Sequence, residues 1–309
     1  MITENEVKSL KIVKVSIGLP VLNGEKFIRK KLDSLLEQTF TDFEIIISDN
    51  ASTDLTPKIC QEYTNKDKRI KYFRQKEKVV GAENFGFVLQ KAKYKYFLWT
   101  AVDDIILPQF IEKTVKILES NQKIACSSSK MKLIGKTTTE LEIKPSDSVV
   151  KKKIKKIMKN FGQMNTYSAS GPYERRVKEY IKNMRHNQIF YGIFRTNQIR
   201  QSFVSNPFYG QDGCTVFNIL KFGELYVINE ILMEVYDGGI SRNGIIELTK
   251  TWKYNLFNTI FPMYQFTKWC IKNLGCLIFV KKIDFFIKMN LIAESSLLID
   301  IIRKIKNSD

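Results

Sequence analysis

The adjacent carboxylates Asp103 and Asp104 follow closely on the apolar run Tyr96-Phe97-Leu98-Trp99. An apolar run that breaks into paired acids reads as a buried strand delivering carboxylates to the end of a sheet, where open α/β folds place their ligands. Two such groups suit a hard divalent cation, which takes oxygen ligands and commonly holds substrate phosphates at the same time. The pair equally suits a helix start, because Asp104 stands shortly before Pro108 and an amphipathic stretch, so the local pattern leaves cation ligand and N-cap as alternatives. A third acid, Asp212, sits in Phe208-Tyr209-Gly210-Gln211-Asp212-Gly213 ahead of Val216, Phe217, Ile219 and Leu220. There too a cap and a chemically active carboxylate are compatible readings.

The elements that must position these acids repeat along the chain. Val15 to Val21 is a β-like run closed by Asn23-Gly24, and Phe27, Ile28, Leu32, Leu35 and Leu36 follow at helical spacing. Phe43 to Ser48 is a second run, ending in Asp49-Asn50-Ala51-Ser52-Thr53-Asp54 before a helix with Pro57 in its first turn. Ile70 to Phe73 is a third, and Gly81 to Gly86 opens another helix before the Tyr96 run. Strands alternating with helices predict right-handed crossovers and a mostly parallel sheet, with the loops after Val21, Ser48 and Thr100 gathered at one edge. Further on, Phe222 to Ile228 and Ile231 to Tyr236 read as two strands, and the glycines of Asp237-Gly238-Gly239-Ile240-Ser241 mark a hinge loop or a close backbone approach.

In order and spacing, the Val15–Ile28 run, the Ser48–Asp54 loop, Gly81 with Asn84 and Gly86, and Val102-Asp103-Asp104 resemble the family 2 glycosyltransferases over roughly residues 13 to 135. The resemblance implies an α/β fold of the GT-A type, with a mostly parallel central sheet and a helical carboxyl-terminal extension. The expected layout is a catalytic domain over 1–248, with a donor-binding half at 13–135 and an acceptor-side half at 136–248, then an extension over 249–309. It implies a nucleotide-diphosphate-sugar donor, with Asp49 on the nucleobase and Pro20, Val21 and Asn23 lining the nucleotide pocket. Asp103 would meet the ribose or the metal, and Asp104 would be the principal ligand of Mn2+ or Mg2+. Phe190 to Arg195 resembles the strand that the family carries ahead of the Asp212 loop. Beside the resemblance, Asn84 reads as a donor contact or as a residue of tight helix packing, and Arg195 as a contact to the diphosphate or acceptor or as a solvated strand-end cation. Asp212 matches the family's general base. The reaction implied is inverting transfer to an acceptor hydroxyl in polysaccharide, glycolipid or protein glycan synthesis. The alternatives are a sugar nucleotidyltransferase, for which Pro20 to Gly24 lacks the usual Gly-rich basic loop, and a non-catalytic nucleotide-sugar or carbohydrate binding protein.

Composition narrows the classes. A chain of 309 residues with 44% hydrophobic content can bury a full core. Five cysteines without a C-x-x-C pair argue against a disulfide framework and a zinc site, and the lone His186 excludes mechanisms that need two imidazoles. Met1 to Lys14 mixes charges and carries no leader pattern, so a cytoplasmic protein is expected. The net charge of +18 is concentrated in places such as Lys151 to Lys159. This run lacks the interleaved aromatics of a nucleic-acid binder and suits either a solvated face or an anionic membrane surface. From about Thr249 the chain turns aromatic and apolar with lysine flanks, a pattern for packing on the catalytic domain, for a homodimer contact, or for peripheral attachment at the inner face of a membrane beside a lipid-linked acceptor.

Overall fold

A computed structural model describes residues 14–135, 145–149, 152, 166–184, 187–236, 246, 249, 252 and 254–306. The hinge loop from Asp237, all of the lysine run except Lys152, and His186 lie outside the described residues.

The first four strands are β1 (Val15–Val21), β2 (Phe43–Asp49), β3 (Ile70–Arg74) and β4 (Tyr96–Trp99). Helices α1 (Glu25–Leu36), α2 (Thr56–Lys66) and α3 (Gly81–Lys91) connect them, and the four run parallel in the order β3-β2-β1-β4. Every residue of β1, β2 and β4 is buried, as parallel strands covered on both faces must be. Their unbroken apolar character follows from that double cover. Strand β5 (Ile105–Ile106) and helix α4 (Phe110–Ser120) come next, then β6 (Ile124–Ile134), α5 (Tyr173–Asn183), β7 (Ile193–Arg195), α6 (Thr196–Ser202), α7 (Gln211–Ile219) and β8 (Glu224–Tyr236). The full sheet has the order β3-β2-β1-β4-β7-β6-β8-β5, in which β7 is antiparallel to β4 and β6, and β5 to β8.

Two expected elements differ. The two strands read between Phe222 and Tyr236 are the single long β8, because Asn229 and Glu230 stay extended through register irregularities against β6. The strand expected from Phe190 starts only at Ile193, since Gln188–Tyr191 forms a 3-10 turn. That turn places Phe190 flat against Trp99 of β4, with ring centroids 4.5 Å apart and planes 5° from parallel.

The carboxyl-terminal residues form α8 (Leu256–Ile260), α9 (Tyr264–Leu274), α10 (Cys276–Lys281) and α11 (Ile283–Lys306). They share the core behind the sheet, since Phe266, Cys270, Phe286, Ala293 and Leu297 are buried in one cluster with Phe217 and Trp99. Packing on the rest of the fold is therefore one fate of this aromatic segment. The Phe266 ring lies against the start of α7.

Candidate active site

The loops that follow β1, β2 and β4 meet at the carboxyl-terminal edge of the parallel strands. The first two are laced together: Asn23 N donates to Ser52 Oγ (2.8 Å), Thr53 N to Asn23 Oδ1 (2.9 Å), Gly24 N to Thr56 Oγ1 (2.8 Å) and Leu55 N to Glu25 Oε2 (2.8 Å). Asn23 makes these contacts with φ 49°, a left-handed conformation that asparagine tolerates better than most residues. Pro20 and Val21 are buried at the end of β1, and the exposed Asn23 caps the edge above them.

Asp103 and Asp104 come from the loop after β4, and neither caps a helix: Asp104 leads into β5, and α4 begins later, at Phe110. Asp103 is half-buried, whereas Asp104 is 5% exposed. Asp104 Oδ1 accepts from the backbone N–H of Tyr236 at the end of β8 (3.0 Å), which leaves Oδ2 uncommitted among the described residues. Beneath the pair, the wholly buried Lys31 of α1 donates its Nζ to the Asp104 carbonyl (2.9 Å). Burial lowers the Lys31 ammonium to about 8, against the pull of Asp104 and Asp103. Burial likewise pushes the Asp104 carboxyl up to about 6, with the Lys31 cation working against that rise and the Asp103 charge adding to it. Asp103 is raised in the same direction by burial. The two acids are thus held ionised at an electrostatic cost that a divalent cation would relieve.

Asp212 lies in the first turn of α7, two residues past Gly210, the N-cap, where no side chain caps the helix. Burial raises its carboxyl above the ordinary range, while the Asn187 side chain and the Gly213 and Asp212 backbone N–H groups pull it back. Tyr191, at the end of the 3-10 turn, connects the two acidic stations. Its phenol is pushed up by burial and then by the charges of Asp104, Asp212 and Asp103 together, so it stands within electrostatic reach of all three.

The start of α7 depends on Gly210. Its φ is 90°, and an added Cβ would lie 2.7 Å from Phe266 Cδ2 of α9. Gly210→Ala therefore combines left-handed strain with a clash, and is expected to cost about 1–3 kcal/mol of stability and to displace Asp212. Thermal unfolding within 0.5 kcal/mol of wild type, as small surface changes give, would contradict this placement.

Three expected donor contacts have structural duties. Arg195 is a correction: the β4–β7 register pairs it with Tyr96, at the opposite edge of the sheet from Asp103. Its guanidinium is spent on the Ile124, Leu118 and Asn121 carbonyls and the Tyr96 hydroxyl. Asn84 braces α3 to β2, accepting from the Ser48 hydroxyl (2.5 Å) and donating to the Ser48 carbonyl (3.0 Å). The Asp49 carboxylate has no exposed surface: Oδ1 accepts from Ser52 N (2.8 Å) and Oδ2 from the Tyr72 hydroxyl (2.7 Å). To touch a base it must first exchange the Tyr72 hydroxyl. Conversely, Lys31, Tyr191 and Tyr236 were not among the expected residues. For Lys31 a signal existed, because Ile28, Lys31, Leu32 and Leu35 share one helix face at i, i+3, i+4 and i+7.

Among the described residues no group of three His, Cys, Asp or Glu side chains is poised to hold a metal ion. A carboxylate pair is nonetheless a sufficient protein contribution where substrate phosphates complete the coordination of Mg2+ or a similar ion.

A family model described as glycosyl transferase family 2 matches residues 16–183, more than half of the chain. An uncharacterized glycosyltransferase of Haemophilus influenzae is 34% identical over 120 residues, 39% of this chain and 37% of that protein. The glycosyltransferase GlyA of Streptococcus pneumoniae is 34% identical over 114 residues, 36% of this chain but 16% of its own length. The chain thus spans well under half of either relative. Two solved structures share the fold at low identity. The S. aureus TarS 1-349 complex with UDP-GlcNAc has a TM-score of 0.55 and 16% identity, covering 84% of this chain and 73% of that one. The mannosyltransferase PcManGT of Pyrobaculum calidifontis, in complex with GDP-Man and Mn2+, has a TM-score of 0.55 and 13% identity, covering 94% and 74%.

Proposed function

The chain belongs to glycosyl transferase family 2 and has the GT-A fold, and from that premise we propose that it moves a sugar from a nucleotide-diphosphate donor to an acceptor hydroxyl with inversion at the anomeric carbon. The observation that carries this reading is the convergence of the β1, β2 and β4 loops at one sheet edge, where Asp104 is tied to the end of β8 beside Asp103, with Tyr191 in electrostatic reach of this pair and of Asp212. In this reading the nucleotide lies over Pro20, Val21 and Asn23, with Asp49 and Asn84 holding the β2 loop in shape beneath it. Asp103 and Asp104 would hold a divalent ion. When bound, that ion supplies charge neutralisation to the diphosphate, which is a poor leaving group without it.

Asp212 takes the proton of the acceptor hydroxyl as that oxygen bonds to the anomeric carbon, and the bond to the diphosphate oxygen breaks with its electron pair leaving on the nucleoside diphosphate. Lys31 holds the acidic loop from below through the Asp104 carbonyl and keeps two close carboxylates tolerable in the metal-free site. The ligands in the complexes of the two neighbours, UDP-GlcNAc and GDP-Man with Mn2+, support a nucleotide-sugar donor and a divalent ion for this chain as well. The acceptor in this reading is a glycan or a lipid-linked sugar.

A direct test is titration of UDP, GDP and dTDP with Mn2+, Mg2+ or chelator. Tight binding of one nucleotide that chelator abolishes supports the donor site, and no metal-dependent binding of any of the three sinks it. The proposed base also fixes a pH dependence. Asp212 works only when ionised, and its carboxyl is raised by burial, so kcat/KM should fall as pH drops through a limb lying above the ordinary aspartate value. An acid limb at or below that value would contradict the assignment.

A further inference from the structure

We infer that the outer face of α11 is a docking surface for an anionic lipid bilayer, which it meets lying in the membrane plane. This 24-residue helix, about 36 Å long, carries two apolar faces. Phe286, Ala293 and Leu297 are buried against the body, and Asn290 Nδ2 ties the helix to Thr267 Oγ1 of α9 (3.2 Å). Roughly a quarter turn away, at about 100° per residue, lie Ile283, Ile287, Leu291, Leu298, Ile301 and Ile305. Each is 40% to 60% exposed, and only Glu294 breaks the arc. Leu277 and Val280 of α10, 65% and 63% exposed, add apolar surface just before Lys281 and Lys282 in the chain. Six half-exposed Leu and Ile side chains in one row form a patch of a few hundred Å2, the scale at which an exposed apolar surface marks an interaction site.

Charge selects the occupant. Residues 254–306 hold eight basic and three acidic side chains, within a chain of net charge +18. A second copy seated on this face would bring the same positive surface against itself, whereas anionic headgroups complement it. No helix among the described residues is long and apolar enough to cross a membrane, so contact through a second apolar stripe is an interfacial arrangement. The surface is coupled to the site by packing: α9 presses Phe266 against the start of α7, which carries Asp212. An acceptor held in the same bilayer would then meet α7 from the membrane side. That consequence rests on the proposed transferase reading; the lipid contact does not, and the two fail separately.

The experiment is co-sedimentation of the full chain with vesicles of phosphatidylcholine alone and of phosphatidylcholine with phosphatidylglycerol, at near-physiological salt. It compares wild type with Leu291→Gln/Leu298→Gln/Ile305→Gln and with Lys281→Gln/Lys282→Gln, both checked by thermal melting. All five changed residues are at least partly exposed, so the fold is expected to persist. Wild type should partition at least about tenfold better onto the anionic vesicles, and the triple variant should lose about tenfold or more of that binding. The lysine variant should lose the anionic preference specifically. Equal binding by the triple variant, no binding of wild type to anionic vesicles, or a wild-type dimer that the same three substitutions dissociate would each overturn the inference.

Discussion

Asp212→Asn is expected to lower acceptor-dependent turnover by about 100- to 10,000-fold, the usual worth of a positioned general base, while nucleotide-sugar affinity stays within about twofold. Asparagine has the shape of aspartate, and α7 starts at Gly210 without a side-chain cap, so the helix is retained. What it loses is the capacity to take a proton. The residue belongs to α7 and not to the loop after β4 that carries the acidic pair, so the metal and the nucleotide should bind as before. The measurement is kcat and KM for both substrates, alongside donor affinity by titration. A variant with turnover near wild type would remove Asp212 from the chemistry. Parallel loss of donor affinity and turnover would move it into the donor site instead.

Asp103→Asn carries the second large effect, a loss of about 100-fold or more in metal-dependent nucleotide affinity. It comes with a sign that a purely structural acid would not give. In the metal-free protein Asp104 is raised to about 6 by burial, and the charge of Asp103 adds to that rise. A carboxyl raised in the folded state costs stability as pH climbs from its unfolded value through its folded one, so between pH 4 and pH 6 wild type loses stability that the variant should partly keep. Without metal, Asp103→Asn should therefore melt at or above wild type at neutral pH. With Mn2+ and nucleotide, wild type should gain several degrees and the variant little. The pattern is that of a binding group held at a cost to the fold. A variant that melts well below wild type without metal, yet still responds to Mn2+ and nucleotide, would show that Asp103 supports the loop and does not bind the ion.

The first half of the fold was legible because each of its elements carries a local signal. Apolar runs marked β1, β2 and β4, Asn23-Gly24 and Asp49 to Asp54 marked their ends, and parallel crossovers put those ends on one edge. Direction was not legible in the second half. Nothing local to Ile193-Phe194-Arg195 says that it pairs antiparallel with β4, and that reversal carries Arg195 to the far edge of the sheet, onto three carbonyls and a phenol. Extended β8 was divided because Asn229 and Glu230 look like a turn, whereas irregular pairing with β6 absorbs them. Asp49 shows a different limit: its position at the strand end could be read, but not that Tyr72 and Ser52 would use both its oxygens. Lys31 is the reverse case. A lysine pair in an amphipathic helix suggests solvent, yet its place on the apolar face meant burial, and only the tertiary contact with the Asp104 loop explains why burial is tolerated.

The most direct test of the central claim is nucleoside diphosphate release from UDP-, GDP- and dTDP-sugars offered to the full chain with a mixture of glycan and lipid-linked acceptors, with Mn2+ or with chelator. The expected result is release from one donor that requires the metal, is stimulated by acceptor, and is lost in Asp103→Asn and Asp212→Asn for the separate reasons given above. Release of pyrophosphate in its place, or metal-dependent nucleotide binding with no release from any donor and acceptor combination, would contradict a sugar transferase built on these three acids.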